Sequence, residues 1–255
     1  MTPGPFDLTG RVALVTGGGS GIGQALAVAL AQAGADVAIT MHASSGARTG
    51  EEVRAAGRRF SEWQVDLSRL DEAGAVDLIG RTEAELGPVD ILVNNAGIIR
   101  RENAETHPDE DWLAVTAVNQ HATWRLCRAA GTRMLTRGHG KIVNVASLLS
   151  FQGGVRVPAY TASKHAVAGL TKALANEWAA RGVNVNAVAP GYIDTANTAA
   201  LRADPERSRA ILDRIPAGRW GTASDLAQPV VFLASPASDY VNGHVLVVDG
   251  GWLAR

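Results

Sequence analysis

The stretch Val12-Ala13-Leu14-Val15-Thr16-Gly17-Gly18-Gly19-Ser20-Gly21-Ile22-Gly23 decides the reading of the fold. Apolar residues running straight into glycines read as a buried strand over 12–16 that ends in a tight turn. The alanine-rich run 22–33 that follows reads as a helix. Glycines let an anion approach the backbone, and the first N–H groups of the helix are unpaired at the positive end of its dipole. A glycine-rich turn alone also fits a flexible loop. Its place between a strand and a helix makes it a candidate dinucleotide turn. The spacing is G-x-x-x-G-x-G, which departs from the G-x-G-x-x-G fingerprint, and no lysine of a nucleotide-triphosphate loop is present.

The same alternation continues along the chain. Residues 37–40, a run ending at 64–65, and 91–93, 142–145, 183–188 and 245–248 read as further strands. Residues 51–56, 70–86, about 109–137 and 160–181 read as helices, with Gly87-Pro88 and Gly182 as stops. Strands joined by helix-length crossovers pair in parallel. The expectation is therefore an α/β protein: a single doubly wound Rossmann domain over 1–255, with a seven-stranded parallel sheet and helices on both faces. No linker, repeat or low-complexity segment interrupts it.

Composition fits this reading. The 255 residues are 46% hydrophobic, enough for a sizeable core. The 24 basic and 25 acidic residues nearly cancel, which argues against nucleic acid or an anionic membrane as partner. The lone Cys127 excludes an internal disulfide and fits a reducing compartment; its apolar surroundings read as packing. The first ten residues lack an apolar run and read as neither signal peptide nor membrane span, so a cytoplasmic protein is expected. The histidines form no pair on one helix face and no cysteine cluster exists, so no metal is expected.

Tyr160 and Lys164, four apart, share a helix face. A phenol with a reference pKa of about 10 is a poor base at neutral pH, and a nearby cation favours its ionised form. Ser147 follows the fifth strand at the carboxyl edge, where ligands bind in open sheets; its hydroxyl is suited to hold an oxygen on which charge develops. Asn119, between strands four and five, is placed to order a water that relays protons to Lys164. At the end of strand two, Ile39-Thr40-Met41-His42 holds no acid for ribose hydroxyls. Ser44, Ser45 and Arg48 are candidates for a 2′-phosphate, although Arg48 reads equally as a solvated helix-start residue. Asp66 suits the adenine amino group or, alternatively, an N-cap in Asp66-Leu67-Ser68.

Each of these residues alone has an ordinary explanation; their order after a dinucleotide turn does not. With Asn94-Asn95-Ala96-Gly97 and Pro190-Gly191 added, the chain resembles the short-chain dehydrogenase/reductase family over its full length. The resemblance implies NAD as cofactor, with NADP as the alternative. It places Gly17, Gly19, Ser20, Gly21, Ile22, Gly23, Asp66, Leu67, Asn94, Ala96, Gly97, Pro190, Gly191, Ile193 and Thr195 against it, together with Tyr160 and Lys164. It makes Tyr160 the acid/base, Lys164 its tuner, Ser147 the substrate anchor and Asn119 the end of the relay. It also implies a segment at about 192–216 that covers the substrate, and a homotetramer packed through the long helices.

Stretches at 98–102, 150–158, 197–204, 211–221 and 248–255 resemble the members of the family that oxidise deoxy sugar acids of the 2-deoxy-D-gluconate and 2-dehydro-3-deoxy-D-gluconate type. A sugar acid presents a carboxylate, which arginine meets best. Arg100, Arg101, Arg156 and Arg202 are the candidates. Arg156 comes first because it lies four residues before Tyr160, and Arg202 second because its segment covers the cleft. Gln152 is the candidate amide for a sugar hydroxyl. Gluconate 5-dehydrogenase and 3-oxoacyl-carrier-protein reductase activities remain alternatives. So does a non-catalytic redox sensor, against which the presence of both Tyr160 and Lys164 argues.

Overall fold

The computed structural model describes residues 4–43 and 45–255. The opening stretch folds as β1 (Val12–Val15), a glycine turn and α1 (Gly21–Gln32). Six more strands follow: β2 (Asp36–Met41), β3 (Phe60–Gln64), β4 (Val89–Asn94), β5 (Gly140–Val145), β6 (Val183–Pro190) and β7 (Val245–Val248). All seven pair in parallel in the order β3-β2-β1-β4-β5-β6-β7. This is one α/β domain, and the chain reverses direction of growth between β1 and β4. That switch point opens a crevice at the carboxyl ends of the strands.

Alternation along β1 explains the two layers. Ala13 and Val15 face a core shared with Leu26 and Leu30 of α1, Val53 of α2 (Ala47–Ala55) and Val230 of α9 (Ala227–Ala234). Val12 and Leu14 face a second core with Leu78 of α3 (Glu72–Leu86), Leu126 of α5 (Thr123–Arg137) and Trp178 of α6 (Pro158–Trp178). Successive strand residues point to opposite faces, so a strand buried on both sides is apolar throughout. Each fully buried leucine contributes about 1.5–3 kcal/mol over an exposed one.

The boundaries differ from the sequence reading in instructive places. Only the tail of β3 was legible, because this edge strand alternates Ser61 and Trp63 with an exposed Glu62. α2 begins at Ala47, ahead of the expected 51. α3 begins at Glu72 because the Asp71 carboxylate accepts from Gly74 N at 2.7 Å and caps it. The long helix expected at about 109–137 is three pieces: α4 (Asp109–Thr116), a π-helical turn over Ala117–Ala122, and α5. After β6 the chain forms α7 (Ala199–Ala203) and α8 (Pro205–Leu212), short helices with little periodicity to read.

Candidate active site

A cleft of about 740 Å³ runs along the carboxyl ends of β1, β2, β4, β5 and β6. Gly17, Ser20, Gly21, Ile22 and Gly23 line one end, with Asp66 and Leu67. Ala96, Gly97, Ser147, Tyr160, Lys164, Pro190, Gly191, Ile193 and Thr195 line the rest.

The glycine turn can be tested against the group it is expected to hold. Gly17 and Gly21 have φ of 66° and 55°, a region that favours glycine. A Cβ on Gly18 would lie 2.5 Å from Ile39 Cγ2, and one on Gly23 only 2.1 Å from the Gly17 carbonyl oxygen. The turn therefore lies flat against the sheet and helix, with no side chain between its backbone and the cleft. Ser20 starts α1 but makes no side-chain cap, which leaves the first helical amides free for an anion. Thr16 locks this turn to the next: its hydroxyl accepts from Asn95 N and Ala96 N, each at 3.0 Å, and its carbonyl accepts from the Asn95 amide at 2.9 Å. These features fit a dinucleotide.

Tyr160 and Lys164 lie on the first turns of α6, which Pro158 starts without the loss of a helical hydrogen bond. Lys164 is buried and its ammonium donates to the Val145 carbonyl at 2.6 Å. Burial pulls its pKa down to about 8. Its nitrogen stands 5.5 Å from the Tyr160 ring centre, over the face of the ring. The Tyr160 phenol is pushed above its ordinary pKa by desolvation, against the pull of the Ser147 hydroxyl and the Arg101 charge. Desolvation outweighs the Ser147 and Arg101 contributions, and the Lys164 ammonium stands over the ring beside them.

Ser147 begins a short 3-10 turn, Leu148–Ser150, and its hydroxyl accepts from Leu149 N at 3.1 Å. Asn119 lies inside the π-helical turn, where an extra residue per turn aims its side chain inward. Its amide is fully engaged: Oδ1 accepts from Ile98 N at 2.8 Å, and Nδ2 donates to Ile98 O and to Ser163 Oγ at 3.0 and 3.1 Å. Asn119 thus ties the Gly97-Ile98 backbone to α6 from behind the cleft wall.

Several expected residues stand elsewhere. Asn94 is off the wall: as the last residue of β4, opposite Asn144, it turns into the core and donates to Asn144 Oδ1 at 2.9 Å and Cys127 Sγ at 3.2 Å. Asn95 takes its place on the wall. Gly19 is also off the wall. Asp66 lines the cleft; it caps no helix, and its carboxylate instead accepts from Ser68 N and Oγ at 3.0 and 2.6 Å in a turn ahead of α3. Cys127 is packing, and burial pushes its thiol up to about 12. Arg48 is exposed and pairs with Glu52 at 3.0 Å, Ser45 accepts from Ala47 N at 3.1 Å, and neither lines the cleft; Ser44 lies outside the described residues.

Among the arginines only Arg100 lines the cleft, and it pairs with Asp111 at 3.2 Å. Arg156 has the one positive φ, 63°, among the described non-glycine residues, and its side chain is 55% exposed, 3.9 Å from Glu102. Four residues of loop do not keep two side chains together as four residues of helix do. Arg202 pairs with Asp194 and folds the segment onto itself. Gln152 lies on the turn after Ser147, where its backbone N–H donates to Leu148 O at 3.2 Å, and it is not on the cleft wall. Arg101 is the cation whose field reaches Tyr160, and its guanidinium donates to Asn197 O at 3.0 Å. Met41, His42, Asn197 and Thr198 also line the cleft. Met41 and His42 stand at the end of β2, a position whose residue types carried the signal; Asn197 and Thr198 come from a 3-10 turn, Ala196–Thr198, after β6.

Comparison with known proteins agrees with this architecture. The family described as enoyl-(acyl carrier protein) reductase matches residues 17–253. A 2-dehydro-3-deoxy-D-gluconate 5-dehydrogenase of Bacillus subtilis is 58% identical over 98% of this chain and 97% of its own. The protein of the same name from Escherichia coli is 54% identical over 98% of each chain. A crystal structure of a candidate 2-deoxy-D-gluconate 3-dehydrogenase from Agrobacterium tumefaciens with bound NADP is 53% identical, with a TM-score of 0.92 over 98% of this chain and 99% of that one. With this fold, this glycine turn and these relatives, the chain belongs to the short-chain dehydrogenase/reductase family.

Proposed function

We propose that the protein is an NAD(P)-dependent dehydrogenase that interconverts a secondary alcohol and a ketone on a deoxy sugar acid of the 2-dehydro-3-deoxy-D-gluconate type. The observation that carries it is the meeting of Tyr160, Ser147 and Lys164 on the wall of the cleft that the glycine turn opens. The names of its relatives support the substrate class.

A bound nicotinamide supplies the hydride acceptor or donor. Gly17, Gly21 and the free amides of α1 would hold its pyrophosphate, and Lys164, whose further N–H donors face the cleft, its ribose. The ionised Tyr160 oxygen takes the proton from the alcohol in oxidation, and the Tyr160 phenol returns it to the ketone oxygen in reduction. Ser147 donates to the same oxygen, where it favours developing negative charge. Asn119 is a positioning residue that keeps Gly97-Ile98 and α6 in register. Residues 192–216 cover the substrate.

pH dependence follows from the phenol. Oxidation needs Tyr160 ionised and reduction needs it protonated. Oxidation is expected to climb, and reduction to fall, as pH rises through the alkaline range to which burial pushes the phenol. Opposite slopes in the two directions support the assignment. Parallel slopes would contradict it.

Arg101 is the proposed carboxylate partner, because its guanidinium reaches the cleft rim at Asn197 O, while Arg156 is exposed beside Glu102 and Arg202 is paired with Asp194. Single Arg→Met variants of Arg100, Arg101, Arg156 and Arg202 are to be assayed on a sugar acid and on the matching neutral sugar. Arg101→Met is expected to lose roughly ten- to hundred-fold in kcat/KM on the acid and little on the neutral analogue. Arg156→Met, exposed, is expected to behave like the parent. Equal behaviour of all four on both substrates would leave the sugar acid without a partner.

For the coenzyme, no acid stands at the end of β2, and Arg48 is engaged by Glu52. NAD is expected to be preferred modestly with NADP accepted, as measured by kcat/KM for each; a clear NADP preference would overturn this. The exposed Trp112, Leu113 and Trp124 of α4 and α5 support a homotetramer. No described helix is long and apolar enough to cross a membrane, and a cytoplasmic enzyme is proposed.

A further inference from the structure

Lys164 grips the Ser147 turn from both sides. Its ammonium donates to the carbonyl of Val145, two residues before Ser147, at 2.6 Å. Its own carbonyl accepts from the hydroxyl of Ser150, three residues after Ser147, at 2.7 Å. The first bond belongs to the site as described. The second has no part in it, yet Ser150 is only 9% exposed and its hydroxyl reaches the second turn of α6, where the Lys164 carbonyl already serves the helix ladder. It ties the 147–150 turn to the backbone of α6, beside the pairing of the Ser147 hydroxyl with the Tyr160 phenol.

The turn itself is stiff. Ser150 N donates to the Ser147 carbonyl at 2.9 Å, and Leu149 N donates to the Ser147 hydroxyl at 3.1 Å. With so few residues between two internal bonds, Ser150 cannot move without carrying Ser147 along. Tyr160 lies one helical turn before Lys164 on α6. A bond from Ser150 to the Lys164 backbone therefore fixes the distance between the two hydroxyls that must meet at one substrate oxygen, and such placement is sensitive to shifts of an ångström.

We propose that Ser150 is a positioning residue for the reaction: its hydroxyl, bound to the Lys164 carbonyl, holds the Ser147 hydroxyl against the Tyr160 phenol. The inference rests on the roles proposed above for Ser147 and Tyr160. Its consequence is specific. The Ser147 hydroxyl favours the ionised phenol, so loosening the turn moves the ionisation of Tyr160 to higher pH as well as slowing turnover.

The test compares Ser150→Ala and Ser150→Cys, which remove or weaken the donor, with Ser150→Thr, which keeps it. The readouts are kcat against pH in the oxidative direction, NAD affinity by fluorescence titration, and the melting temperature. The expected result is a roughly ten-fold loss of kcat in the Ala and Cys variants. Their pH profile moves alkaline, NAD affinity stays at the parent value, and the Thr variant recovers both rate and profile. Parent-like turnover overturns the proposal. So does a loss with an unmoved pH profile, or a loss that tracks NAD affinity or melting temperature. Failure of both Ala and Cys variants to fold overturns it too, by making Ser150 a folding residue. If Tyr160→Phe remains active, the underlying reading fails. If Tyr160→Phe is inactive and the Ser150 variants match the parent, only this inference fails.

Discussion

Tyr160→Phe is expected to lower turnover by roughly two to four orders of magnitude while NAD still binds. The substitution removes one hydroxyl and keeps the ring that Lys164 covers at 5.5 Å. Ser147 remains to hold the substrate oxygen, but no group on the wall is left to carry the proton. The check is kcat in both directions beside an NAD titration followed by nicotinamide fluorescence. Near-parent turnover would remove Tyr160 as the acid/base. Loss of NAD binding would show that the phenol serves the coenzyme more than the chemistry.

Gly23→Ala is expected to damage the dinucleotide turn severely. The new Cβ would sit 2.1 Å from the Gly17 carbonyl oxygen and 2.5 Å from the Asn95 amide nitrogen. The first is backbone and cannot swing away, so α1 must lift from the glycine turn. Overpacking of this kind costs about 1–3 kcal/mol. The same displacement moves the free amides of α1 away from the phosphate they would hold. An affinity loss for NAD of roughly ten- to hundred-fold is expected, with a lower melting temperature. Gly21→Ala separates the two effects. Its Cβ meets nothing within 4 Å, and only its φ of 55° is strained, so a smaller loss is expected. Equal behaviour of the two variants would mean that backbone strain, and not the Gly23–Gly17 approach, limits the turn.

The strands were readable where both faces are buried. β1 is an unbroken apolar run, and β4, β5 and β6 carry apolar stretches at 91–93, 142–143 and 187–189, because helices cover both sides of the sheet. β3 was half hidden because an edge strand shows one polar side. The π-helical turn around Asn119 left no trace in the periodicity, since one extra residue in a long helix looks like a slip of the apolar stripe. Tyr160 and Lys164 were legible because helical spacing alone puts four-apart residues on one face. Arg156 was misleading for the same reason applied in the wrong place: the loop before α6 does not share its period. Arg101 had no distinguishing mark beside Arg100. Only the folded arrangement shows that one pairs with Asp111 while the field of the other reaches Tyr160. Asn94 and Asn95 could not be ranked from sequence either, because the end of β4 decides which amide enters the core.

The central claim is that this cleft moves a hydride between a nicotinamide and a sugar-acid carbinol. The most direct test incubates the purified protein with NAD and 2-dehydro-3-deoxy-D-gluconate and follows the absorbance of reduced nicotinamide. 2-Deoxy-D-gluconate, gluconate and a 3-hydroxyacyl thioester are run alongside. The account predicts stoichiometric NADH formation with highest kcat/KM on one of the two deoxy sugar acids, and its disappearance in Tyr160→Phe. Preferred turnover of the acyl thioester, or no NADH from any sugar acid with either coenzyme, would contradict it.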